Sequence, residues 1–112
     1  MSYDISLHAY VSTGGPEPKE VCVAEVGDYT ANVAPMWDKA LGHPLRDLTK
    51  RRAGDALDVL RKGIAAMETD PDTYREMSPQ SGWGSYEGAL KYLRDLRDAC
   101  ALHPNAQIYV LA

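Results

Sequence analysis

Residues 3–26 read YDISLHAYVSTGGPEPKEVCVAEV, and the fold turns on how this stretch is read. Ile5, Leu7, Ala9 and Val11 alternate with Asp4, Ser6, His8 and Tyr10. That is the period-2 pattern of a strand with one buried face. Gly14, Gly15, Pro16 and Pro18 then break the pattern and supply turn chemistry. EVCVAEV (20–26) is rich in β-branched residues and apolar on both faces apart from Glu25. It reads as a second strand. Strand, Gly-Pro turn, strand predicts an antiparallel hairpin over about 3–12 and 20–27.

Beyond the hairpin the period changes. In GDYTANVAPMWDKALG (27–42), Ala34, Trp37 and Leu41 recur at helical spacing, Thr30 or Asn32 can cap the start, and Gly42 supplies the stop. Pro35 fits a first helical turn, whose N–H groups have no helical partner. Ala53, Ala56, Leu57, Leu60, Ile64 and Met67 predict a second helix from about Thr49 to Thr69. Gly54 and Gly63 weaken it by roughly 1 kcal/mol each relative to Ala unless a neighbour packs closely there. Asp70-Pro71 ends it and opens a short turn, DPDTYREM.

The third helix has the clearest pattern. Ser85 can cap it, Glu87 suits the positive end of its dipole, and His103-Pro104 stops it. Tyr86, Ala89, Leu90, Leu93, Leu96 and Cys100 form one stripe, with Lys91, Arg94, Asp95 and Asp98 opposite. AQIYVLA (106–112) is a short strand that must find a partner for its backbone groups, and the first strand is the expected one.

The expected order is β-β-α-α-α-β in one domain, residues 1–112. The expected class is α+β: two layers, a mostly antiparallel sheet of about three strands with three helices on one face. The outer sheet face is expected to carry Tyr3, Ser6, His8 and Tyr10.

Charge and composition narrow the function classes. Over 112 residues the net charge is −4, which disfavours nucleic acid, whose phosphates need clustered Lys and Arg. The one basic run, LTKRRAGD, is followed by acids and reads as a solvated helix start. No segment approaches the ~18 apolar residues of a membrane span, and the N-terminus lacks the basic and apolar regions of a signal peptide. A soluble, cytoplasmic protein is expected, with Cys22 and Cys100 reduced and at least partly buried.

Standard catalytic constellations do not appear: no G-x-S-x-G, H-E-x-x-H, Walker loop or dinucleotide fingerprint. His8, His43 and His103 are scattered, so neither a metal site nor a hydrolase triad is expected, and no cofactor. GWGSYEG (82–88) has glycine spacing unlike a phosphate loop and no Lys or Arg at the turn.

Two segments stand out, 27–41 and 81–93. Each places a polar, aromatic-rich turn directly before a helix, and together they hold both tryptophans. The expected binding residues are Tyr29, Thr30, Asn32, Trp37, Trp83, Tyr86 and Glu87, since rigid rings beside Asn, Thr and Glu suit recognition. The competing reading is that Trp37 and Trp83 fill the gap between helices while Asn32 and Ser85 cap them.

DYTANVAPMWDKAL (28–41) and GWGSYEGALKYL (82–93) resemble segments of small proteins encoded by bacteriophages, and sometimes by their bacterial hosts, for which no activity is assigned. Typical members read NYTYNVAPMW and GWG-x-YEGAL behind a β-hairpin. The match covers about a quarter of this chain, and Ala31 stands where bulkier residues are usual. The resemblance implies a phage origin. It supplies no activity; the lack of a catalytic constellation favours, by analogy with other short phage proteins, a small accessory protein that binds a host or phage protein or another copy of itself in the host cytoplasm. A small-molecule binder or enzyme for a nucleotide-like ligand is the alternative, and a structural virion role the third reading.

Overall fold

The computed structural model describes residues 2–12 and 14–112. Met1, and Thr13 of the Gly-Pro turn read above, lie outside the described residues. Strands β1 (Ser2–Val11) and β2 (Lys19–Thr30) form the hairpin, and β3 (Gln107–Leu111) closes the sheet on the other side of β1, in the order β2-β1-β3. Both pairings are antiparallel, so the final strand pairs with the first as expected. Between the strands lie α1 (Ala34–Leu41), α2 (Ala53–Thr69), the short α3 (Pro71–Arg75) and α4 (Tyr86–Leu102). The chain is α+β, one open antiparallel sheet with helices.

The core joins the inner sheet face to the helical stripes. Ile5, Leu7 and Ile108 meet Leu60, Ile64, Met67, Leu93 and Leu96, all almost wholly buried. Gly63 lets α1 approach α2 closely, because a Cβ there would stand 2.8 Å from Leu41 Cδ2. Gly42 ends α1 in the left-handed conformation at φ 82°, as its position predicted.

Four expectations need correction. Tyr3 is not on the outer sheet face. It shares parity with Ile5, is buried, and packs edge-on against Trp37 with ring centroids 5.4 Å apart. The second helix begins at Ala53, not Thr49. Residues 49–52 instead run along the free edge of β3: Lys50 N–H donates to Ile108 O at 2.6 Å, Ile108 N–H to Arg51 O at 2.9 Å, and Val110 N–H to Thr49 Oγ1 at 3.0 Å. Pairing that edge satisfies backbone groups a helix start would have left open. The basic run is therefore an edge cover. Cys22 is exposed, because a register shift between Leu7 and His8 places it opposite His8 on the uncovered face. Finally, β2 runs to Thr30, three residues past the expected end at 27, so the first aromatic segment begins inside the sheet.

Cys100 is buried in the core as expected, and burial pushes its thiol up to about 11. Both cysteines are free.

Candidate functional site

The end of β2 and the turn before α4 build the site together. Thr30 is the last residue of β2; its Oγ1 accepts from Asn32 N–H at 3.3 Å and caps the 3-10 turn Ala31–Val33 that leads into α1. Ser85 caps α4, its Oγ accepting from Gly88 N–H at 3.0 Å. The two caps are joined by Tyr29, whose hydroxyl accepts from Ser85 N–H at 3.1 Å.

Glycine makes that junction possible. Gly84 has φ +99°, and a Cβ there would stand 2.6 Å from Thr30 Cγ2 and 2.7 Å from Val33 Cγ1. Gly82 also has φ in the left-handed region, at +81°. Such values are easy for glycine alone. The turn is thus pressed flat against the end of the hairpin while the residue between the glycines is turned outward. Trp83 is 73% exposed, the reverse of what a large apolar ring does by default.

Beside the ring is an open cleft of about 580 Å³, lined by Ser2, Asp28, Tyr29, Thr30, Asn32 and the Trp83–Gly84 turn. Four of the seven expected residues, Tyr29, Thr30, Asn32 and Trp83, therefore converge. The other three do not. Trp37 is wholly buried, its Nε1–H donating to Ala89 O at 3.0 Å. It anchors an aromatic cluster with Tyr3, Tyr29 and Tyr92. Tyr86 is buried with its hydroxyl donating to Met67 O at 2.7 Å. Glu87 faces away, its carboxylate accepting from Arg75 Nε at 3.3 Å, while the Arg75 guanidinium stands 4.9 Å over the Tyr86 ring.

Asp28 and Ser2 were missed by sequence reasoning. A signal for both lay in the hairpin register, which sets Ser2 opposite Thr30 and Asp4 opposite Asp28. Tyr92 ties the same strand end to α4, its hydroxyl donating to Gly27 O at 2.7 Å. Burial, and then the charge of Asp4, raises that phenol well above the usual tyrosine range.

A second polar cluster lies on the uncovered sheet face. His8 Nε2 is 2.9 Å from Ser6 Oγ and its Nδ1 is 3.3 Å from Glu20 Oε1, the hydrogen-bond order of a serine–histidine–acid relay. The sequence reading expected no triad, and the cross-strand placement of Glu20 is what alternation along one strand does not show. The Tyr109 ring stands edge-on to His8 at 4.7 Å, its hydroxyl donates to Gln107 Oε1 at 3.3 Å, and its phenol is pushed up to about 12 by the neighbouring Tyr10 hydroxyl, then by desolvation and the Glu20 carboxylate. Acyl transfer also needs donors aimed at the oxyanion. Ser6 sits on the central strand, paired with Glu25 on one side and Tyr109 on the other, so its neighbourhood of backbone amides is committed to the sheet.

Among the described residues, no three His, Cys, Asp or Glu side chains converge to hold a metal ion, and no helix is long and apolar enough to cross a membrane. Comparison with protein-family models, curated proteins and solved structures returns no match.

Proposed function

We propose that this chain is a small accessory protein of bacteriophage type that acts by occupying the surface of another protein, a host protein or a second copy, through the Trp83 turn. One observation carries the reading: a tryptophan held 73% exposed on two left-handed glycines, beside a cleft at the end of the hairpin. Aromatic anchors of this kind dominate interface energetics, because a rigid ring buries a large area with little entropy loss. The NVAPMW and GWGSYEGAL segments support the phage assignment through their resemblance to phage-encoded proteins. The net charge of −4 suits a basic partner surface.

The nucleotide-like alternative has less support. Glu87, which would have served an enzyme, pairs with Arg75 instead of lining the cleft, and the negative charge of Asp28, which does line it, disfavours phosphate.

The test is affinity capture from host lysate, with sedimentation to detect self-association, using wild-type protein and Trp83→Ala. A discrete partner or dimer retained by wild type and lost by the folded variant is expected. Retention by both would reject the reading.

A further inference from the structure

We infer that the Trp83 cleft recognises an arginine side chain presented by the partner protein, with Asp28 as its counter-ion; this rests on the partner-binding reading above. The cleft is lined by an exposed tryptophan, Trp83, and by an exposed acidic residue, Asp28. The face of an aromatic ring carries a negative quadrupole, so the two groups attract the same kind of ligand, a cation.

The other side of the same turn shows this arrangement completed. There the Tyr86 ring, the Glu87 carboxylate and the Arg75 guanidinium stand together, with the guanidinium 4.9 Å over the ring and Nε 3.3 Å from the carboxylate. In the Trp83 cleft the ring and the carboxylate are present, and among the described residues no guanidinium or ammonium pairs with Asp28. The ion pairs among the described residues are made by other acids. Asp28 also lines the adjoining groove together with Lys91, and there the ammonium is taken by Asp95 at 2.7 Å.

Strand register adds a second reason. Asp4 stands directly opposite Asp28. Like charges across an antiparallel pair destabilise it, and a cation entering between ring and strand relieves that repulsion. The remaining lining groups select guanidinium over ammonium. Ser2, Thr30 and Asn32 also line the cleft, and their side chains carry hydrogen-bond acceptors of the kind that suit a planar group with five N–H donors.

The probe is N-acetyl-arginine amide, titrated into isotopically labelled protein while the Trp83 indole N–H resonance is followed; Trp37, buried, serves as internal reference. A saturable shift of Trp83 is expected with arginine. The uncharged analogue with citrulline in its place should bind at least tenfold more weakly, and Asp28→Asn should weaken arginine by a similar factor. Asp28 is exposed, and the citrulline comparison needs no variant, so misfolding does not blur the result. Equal response to arginine and citrulline, or no response to either, would overturn the inference. So would a Trp83 shift with AMP in place of arginine. The two readings fail separately. If Trp83→Ala loses a captured partner while Trp83 ignores arginine, partner binding stands and the cation inference falls. If Trp83→Ala keeps its partners, the partner reading falls whatever arginine does.

Discussion

The two tryptophans belong to segments built alike, a polar aromatic turn followed by a helix, and they end in opposite environments. Trp37 lies inside α1 and is wholly buried between the sheet end and α4. Trp83 lies ahead of α4 and is 73% exposed. The difference is one of backbone. Trp37 has helical geometry, and the helix rotates its side chain onto the apolar stripe with Leu41. Trp83 stands between two glycines of positive φ, where the chain turns over and presents the side chain away from the core. An aromatic motif in sequence marks a large group, and the local backbone decides whether that group packs into the core or faces solvent.

Substitutions should separate the two segments by size of effect. Trp37→Ala removes a fully buried ring and its hydrogen bond to Ala89 O, and is expected to cost about 3–5 kcal/mol in denaturant unfolding. A loss under about 1 kcal/mol would place Trp37 outside the load of the core.

Gly84→Ala comes next. The positive φ alone is expected to cost about 1–3 kcal/mol, and the added methyl must also displace Thr30 or Val33. Gly82→Ala serves as its partner experiment, since nothing lies within 4 Å of a Cβ there and only the backbone term applies. Equal losses at both positions would show that the turn is not pressed against the hairpin.

The aromatic cluster and the core behind it should also fail at alkaline pH. Cys100 has an ordinary value of 9.0 and is raised to about 11 by burial; Tyr92, ordinarily 10.0, is raised further. In that window the unfolded chain has released protons that the folded chain still holds. Stability is therefore full below about pH 9 and falls as pH rises, by at most about 1.4 kcal/mol per unit for each group. Thermal unfolding of Cys100→Ala should delay the onset toward pH 10, where Tyr92 takes over. An unchanged onset would assign the alkaline loss elsewhere.

Trp83→Ala should have the smallest effect, about 1 kcal/mol or less, because most of the ring is already in water. A severe fall in melting temperature would mean that this ring, like Trp37, supports the fold, and the comparison between the two would collapse.

Much of the architecture follows from local pattern. Alternation in 3–11, the Gly-Pro turn and the β-branched run predict the hairpin. The stripes of α2 and α4 and the caps Thr30, Ser85 and Gly42 stand where spacing puts them, because caps and periodicities are interactions between residues a few positions apart. Placing Tyr3 on the outer face was an error of parity, since it shares its side of the strand with Ile5. The start of α2, at Ala53, departs from the local pattern for a different reason. Thr49–Arg52 have no strong preference against a helix, and the unpaired edge of β3, far away in sequence, claims their backbone.

The amino-acid sequence by itself determined which segments are strands and helices, that Ser85 caps α4 and Gly42 ends α1, and that two glycines would free Trp83 from an ordinary backbone. Only the tertiary structure decided which of the seven suspected residues share a cleft. It buried Trp37 and Tyr86, turned Glu87 toward Arg75, and brought Ser2 and Asp28 to the Trp83 turn from the other end of the chain. The physical reason is range: capping and periodicity act within a few residues, whereas a cleft is made by strand register and by the close packing of Gly84 and Gly88 against Thr30, Val33 and Tyr29, more than fifty positions away.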